Sequence, residues 1–160
     1  MARAATPPWV TDLVARVLEE EGRHRGPIVD WRTRGTVERN TLMRVAGVAM
    51  RRGEFSRGQW DLDRTITVWS GGRQFDATMV LLHELAHWLT RAQHTRAFWA
   101  KAWSLYVRHL PRRYWRYALE HEGEYRAWSI ASAADLGVPG ARELIAKRRA
   151  RSRAARGVED

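Results

Sequence analysis

The sequence predicts one α+β domain, with an N-terminal helix, a small sheet and then a helical C-terminal half. Three observations predict this order. Apolar residues recur at helical spacing near the N-terminus, short β-favouring runs separated by glycine and charge fill residues 27–70, and helical spacing continues from residue 76 onward. We expect residues 1–146 to form a single domain and residues 147–160 to form a basic, flexible tail.

The first helix is expected to begin at Thr6, because the prolines that follow suit a first helical turn, and to end at Gly22. Its core face is predicted from apolar residues spaced three or four apart. These are Val10, Leu13, Val14, Val17 and Leu18.

The sheet is predicted from three runs rich in β-favouring residues. They are Ile28–Trp31, Leu42–Met50 and Thr65–Trp69. Together they predict a small three-stranded antiparallel sheet, whose last strand ends at the Gly71-Gly72 pair.

The helical half is predicted to start with Asp76 as the N-cap of a helix that continues through Leu89. A second helix is expected from Thr95 to His109, because apolar and aromatic residues recur there at helical spacing and Pro111 then stops the pattern. Further helices are predicted over Arg113–Glu120, over Glu124–Leu136 and from Ala141 onward.

Composition narrows the kinds of site that are possible. The 160 residues include no cysteine, which excludes disulfides, thiol nucleophiles and Cys-ligated metal sites, so a metal would need His, Asp or Glu. The sequence has no secretion signal and no apolar stretch of membrane-spanning length, so we expect a cytoplasmic protein without a membrane partner.

The excess of positive charge in the sequence suggests a polyanionic partner. The chain has 28 Lys+Arg against 18 Asp+Glu, a net charge of +10. Six of the positive charges lie within Lys147–Arg156, so this tail is a candidate for contact with nucleic acid. The alternatives are a solvated tail and the arginine richness that a GC-rich genome produces without selection for binding.

The most informative segment is His83-Glu84-Leu-Ala-His87. On a helix, residues four apart lie above one another, so the two imidazoles would project from one face and could share a metal ion. Glu84 lies beside them and could take a proton from water as a general base. Three of the six histidines fall between positions 83 and 94, which favours metal binding over chance.

A hydrolytic zinc centre normally has three protein ligands, so a third must come from elsewhere in the chain. His94 is the first candidate, because a turn after His87 could return it to the metal. Carboxylates on a later helix remain as alternatives. These are Glu120, Glu122 and Glu124.

This segment resembles the SprT-like, WLM and YgjP-like zinc metallopeptidases, whose pattern is HExxH, a short connection, and a third His followed by an aromatic at the fourth position. Here Phe98 is that aromatic, and the similarity covers roughly residues 60–111. The resemblance implies a minimal zincin fold with zinc as the cofactor. It also implies His83, His87 and His94 as zinc ligands and Glu84 as general base.

Two departures from related patterns limit the resemblance. A metzincin would have Gly at position 90 and His at position 93, where this chain has Thr90 and Gln93, so that subclass is excluded. The Cys-based zinc ribbon that many SprT-type proteins carry is also impossible in this chain.

The function predicted first is therefore a zinc metallopeptidase acting on a protein or peptide. Its substrate is expected to lie extended along Thr65–Ser70, taken as a sheet edge with unpaired backbone groups. The alternatives are a zincin-like protein delivered to nucleic acid by its basic tail, and a binding module with a structural metal. The aromatics near the motif are predicted to be core residues; they are Trp88, Phe98, Trp99 and Trp103.

A second donor besides the metal would have to stabilise the charge that develops on the reaction intermediate. The sequence does not choose among several downstream candidates. These are Tyr106, His109, Tyr114, Tyr117, His121 and Tyr125.

Overall fold

A computed structural model of the chain describes residues 5–33, 47–50, 65–70, 74–123 and 127–156. It contains both helices and strands, so the α+β class holds. The chain divides into two compact units, one ending at Arg91 and the other beginning at Ala92. Within the described residues, no helix has both the length and the apolar character needed to cross a membrane.

The first helix, α1, runs from Pro8 to Glu20 and buries the predicted apolar stripe, except that Leu18 is half-buried. It begins two residues later than predicted, because Pro7 precedes another proline and is held in the extended region (φ −60°, ψ 144°). Gly22 follows the helix with φ +62°, a left-handed conformation that ends helices and that glycine adopts without strain.

Three described strands pair in the order β1-β3-β2: β1 is Ile28–Thr33, β2 is Gly47–Met50 and β3 is Thr65–Ser70. β2 pairs antiparallel with β3, whereas β1 pairs parallel with β3 along its whole length. The prediction of a purely antiparallel sheet is therefore wrong. The reason is that β1 lies beside β3 and not beside its neighbour in the chain, and the residues between β1 and β3 are numerous enough for the long connection that a parallel pair needs.

A second correction concerns the predicted substrate strand. β3 is bordered on both sides, by β1 and by β2, so Thr65–Ser70 is the central strand and not an edge. Its inward residues Ile66 and Val68 are fully buried, as befits a central strand. Residues 42–46 of the predicted second run lie outside the described residues.

Helix α2 spans Gln74–Thr90 and packs against β2 and β3. It begins before Asp76, which therefore lies in the first turn and is not the predicted N-cap. Over residues 77–86 the helix is mostly apolar and buried, which fixes its rotation about its own axis. The fully buried side chains include Leu81, Leu82, Leu85 and Ala86.

Among its described residues, all regular secondary structure of the second unit is helical. Helix α5 packs against α3, α4 and α6, and the Trp103 indole N–H donates to the Ser129 hydroxyl at 2.9 Å to link α3 with α5. A 3-10 turn, Arg112–Tyr114, precedes α4. The four helices are α3 (Arg96–His109), α4 (Trp115–Gly123), α5 (Ala127–Asp135) and α6 (Ala141–Ala154).

Helix α6 contains most of the segment predicted as a basic tail. It begins after Gly140, whose φ of +84° lies in the left-handed region, and it continues to Ala154. Residues 147–154 are therefore helical, and all of them except Arg148 are exposed. Residues 157–160 lie outside the described residues, as do residues 124–126 at the start of the predicted helix before α6.

Candidate metal centre

The centre begins on α2, where His83 and His87 lie one helical turn apart. Their ring centroids are 5.0 Å apart, with an interplanar angle of 71°. Both side chains are half-buried, while Leu85 and Ala86 between them along the chain are fully buried. The apolar face of α2 thus points the two imidazoles toward the same, partly accessible side.

A tight turn ends α2 directly after the two histidines. The backbone N–H of Arg91 donates to the carbonyl of His87 at 2.8 Å, and the Thr90 hydroxyl donates to the carbonyl of Ala86 at 2.7 Å. Arg91 has φ +54° and is the only non-glycine residue with positive φ in the described part of the chain. This left-handed residue follows the last residue of α2 and begins the connection to α3.

The start of α3 is fixed by Thr95, the residue after His94. The Thr95 hydroxyl accepts a hydrogen bond from the Phe98 N–H at 3.3 Å, and its carbonyl accepts one from the Trp99 N–H at 3.0 Å. This N-cap satisfies backbone donors that would otherwise lack partners. His94 is consequently held just ahead of a well-defined helix end.

Two aromatic residues pack against the His94 ring. Phe98 meets it edge-on, with centroids 4.9 Å apart and an angle of 87°, and Trp99 stacks on it at 5.5 Å and 21°. Phe98, Trp99 and Trp103 are buried, which confirms them as core residues. Trp88 is only half-buried, so its assignment to the core is wrong.

These elements bring together the three predicted histidines. One ligand nitrogen from each of His83, His87 and His94 lies within 4.8 Å of the others. In a tetrahedral zinc site with Zn–N bonds of about 2.1 Å, the nitrogens would be about 3.4 Å apart, so small rotations of the rings would complete the site. Three half-buried imidazoles are a donor set that suits zinc.

The alternative third ligands are placed differently. In the part of the chain that the structure describes, no other group of metal-ligating side chains comes together as the three histidines do. Glu122 accepts a hydrogen bond from the Tyr106 hydroxyl at 3.1 Å, and exposed Glu120 pairs with Arg116 at 3.0 Å. Glu124 lies outside the described residues.

Glu84 is the one charged residue in the apolar middle of α2. Its side chain is 4% exposed, although it directly follows the half-buried His83. A carboxylate is rarely buried without polar partners or a chemical role. Its position beside the histidines is the one that the sequence motif predicts.

The residues that are candidates for stabilising the charge on the reaction intermediate differ in their burial and contacts. Tyr106 is fully buried and its hydroxyl is used by Glu122, whereas His121 is exposed and stacks on Tyr117 at 5.9 Å. Tyr114 packs under the Arg113 guanidinium, 4.9 Å from ring centroid to Cζ. His109 is half-buried, and Tyr125 lies outside the described residues.

Sequence reasoning missed the role of Arg91, since arginine carries no signal for a left-handed backbone conformation. Comparison with known proteins adds no further assignment: no protein-family model, curated protein or solved structure gives a significant match to the chain.

Proposed function

We propose that this protein is a zinc-dependent metallopeptidase with a minimal zincin fold of the SprT-like, WLM and YgjP-like kind. One observation carries the proposal: ligand nitrogens of His83, His87 and His94 lie within 4.8 Å of one another, and buried Glu84 adjoins the first of them on the same helix. A His-only site used for structure alone would have no need of a buried carboxylate beside it.

In this proposal His83, His87 and His94 hold the metal. Three protein ligands leave a fourth position open, as in catalytic zinc sites and unlike closed structural ones. Bound zinc would polarise a substrate carbonyl and lower the pKa of a coordinated water toward about 7.

Glu84 is the proposed general base. Its carboxylate would accept a proton from the attacking water and later deliver it to the amine that leaves when the peptide bond breaks. Burial of Glu84 keeps bulk water away from the carboxylate, which helps to direct the proton to the reacting groups. The substrate would be a protein or peptide, and the proposed location is the cytoplasm.

The metal site is tested by elemental analysis of untagged protein. We expect about one zinc per chain in wild type and a loss of most zinc in His94→Ala, because two histidines bind zinc far more weakly than three. His121→Ala is the matched control, since it removes an exposed histidine of α4 that lies outside the cluster. Equal zinc in both variants would remove His94 from the ligand set.

The catalytic role is tested with Glu84→Gln, which keeps the shape of the side chain and removes its basicity. We expect zinc content to be unchanged and hydrolysis of a peptide library to fall by about 10²–10⁴-fold. Glu143→Gln, an exposed change on α6, serves as the control. Activity of Glu84→Gln equal to wild type would refute the base, and zinc-loaded wild type that cuts no library peptide would favour the non-catalytic metal module.

A further inference from the structure

Helix α6 carries a dense set of positive charges, and most of its residues are exposed. From Lys147 to Arg156 there are six Lys+Arg and no acidic residue. At 1.5 Å per residue this is one positive charge per roughly 2.5 Å of helix, similar to the density of duplex DNA, with one negative charge per about 1.7 Å. The surface therefore matches a polyanion in charge density.

Five of the basic residues of α6 are arranged in two rows along the helix. At 100° per residue, Arg142, Arg149 and Arg153 fall within about 40° of one another and form the first row. Lys147 and Arg151 form the second row on the opposite flank. All five side chains of these two basic rows are exposed.

A smooth strip separates the two basic rows. Ala146, Ala150 and Ala154 lie between them on the exposed side of the helix, and all three are exposed. Glu143, also exposed, lies on the same side in the first turn of the helix. The opposite side is the one that packs, as shown by buried Ala141 and half-buried Leu144 and Ile145. Beyond Glu143, the exposed side of α6 thus has a floor of methyl groups with a positive row on either flank.

This shape fits the major groove of a DNA duplex. The groove is about 12 Å wide and admits an α-helix, whose diameter with side chains is about 10–12 Å. Alanines allow the helix backbone to approach the groove floor closely, while the two basic rows would face the phosphates of the two strands. Phosphate contacts of this kind position a helix without reading sequence.

An anionic membrane fits the same helix poorly. A helix that lies in a membrane interface needs a face of large apolar residues, and residues 146–156 contain none larger than alanine. Like charges four residues apart, Lys147 with Arg151 and Arg149 with Arg153, also repel each other in the free helix, and a phosphate lattice would relieve that repulsion.

We propose that α6 binds duplex DNA by its backbone, with the alanine strip toward the major groove and the two basic rows on the flanking phosphates. This inference stands independently of the metal centre and of the proposed peptidase activity.

The test measures binding of a fluorescein-labelled 20-base-pair duplex to the full chain across a salt series. If all five charges of the two rows contact phosphates, the slope of log K against log salt is about −4.5. In the triple variant Arg149→Gln/Arg151→Gln/Arg153→Gln we expect at least tenfold weaker binding and a slope smaller by about 2–3.

A matched control separates α6 from overall charge. Arg112→Gln/Arg113→Gln/Arg116→Gln removes the same charge from three exposed residues of the same unit. We expect it to stay within twofold of wild type. Equal losses in the two triple variants would overturn the assignment to α6.

The placement of α6 in the groove is tested by enlarging side chains on the helix and by replacing the duplex with single-stranded DNA or lipid vesicles. Ala150→Leu, on the strip, should weaken duplex binding at least fivefold, whereas Ala155→Leu, off the strip, should not. Equal affinity of wild type for the duplex and for one of its single strands would overturn the groove placement. Binding of phosphatidylserine vesicles as tight as that of the duplex would make lipid the partner and overturn the proposal.

Discussion

The histidine segment, residues 83–99, and helix α6 use polar side chains in opposite ways. In the histidine segment each polar ring has a specific neighbour: His83 meets His87, and His94 lies against Phe98 and Trp99. In residues 147–154 of α6, every polar side chain except Arg148 is exposed, and all but Ser152 are lysine or arginine. The difference teaches that the metal binding proposed for the first region would depend on individual residues, whereas the DNA binding proposed for the second would depend on how many charges remain and in which rows.

The largest expected effect compares a leucine from each helix. Leu85→Ala on α2 should lower the free energy of unfolding by about 2–5 kcal/mol, because it leaves a cavity beside fully buried neighbours. Leu144→Ala on α6 should lower it by less than about 1.5 kcal/mol, because that leucine is only half-buried. Urea unfolding of both variants measures the contrast, and equal losses would show that α6 is packed as firmly as α2.

A smaller effect tests whether the aromatic ring stacked on His94 contributes to zinc affinity. Trp99→Phe replaces the indole that stacks on His94 by a smaller ring and should weaken zinc affinity by about tenfold, the low end of the effect of residues that support a metal ligand. Zinc competition with a fluorescent chelator gives the affinity.

The control for Trp99→Phe is Trp103→Phe, which is equally buried on the same helix but bonds to Ser129. It should leave zinc affinity within twofold while lowering the free energy of unfolding. If both variants lose zinc affinity alike, general loosening of α3 and not the stacked ring is responsible.

The smallest effect concerns the turn between the histidines. Arg91→Gly should raise the free energy of unfolding by up to about 1 kcal/mol, because glycine adopts positive φ without the penalty that arginine has there. Ala92→Gly, one residue on and without positive φ, should lower it by about 0.5 kcal/mol. A destabilised Arg91→Gly would mean that contacts of the arginine side chain outweigh its backbone strain.

The helices and the histidine set could be predicted because their signals are local. Spacing of three and four residues placed α1 and α3 to within two residues, and the same spacing placed His83 beside His87. His94 was the first candidate for the third ligand because a turn after His87 could return it to the metal, and the resemblance, which includes the aromatic Phe98, implied it as well.

The pairing of the strands could not be predicted in the same way. Nothing local to Thr65–Ser70 distinguishes a central strand from an edge strand, because that depends on Ile28–Thr33 arriving on its far side. The prediction of Asp76 as the N-cap of α2 was wrong for a related reason. Aspartate is a good N-cap residue, but the helix begins before Asp76.

The parallel pairing of β1 with β3 has a consequence for the order of folding. It joins Ile28 to Thr65, a loop of about 37 residues, whereas the histidine cluster closes a loop of about 11. Loop-closure entropy alone makes the longer closure costlier by about 1 kcal/mol, and long-range pairing of this kind slows folding. We therefore expect the three histidines to come together before the sheet is complete. In rapid-mixing refolding, zinc should be captured in an earlier phase than the one in which strand amides become protected from hydrogen exchange, and zinc capture only after protection would reverse that order.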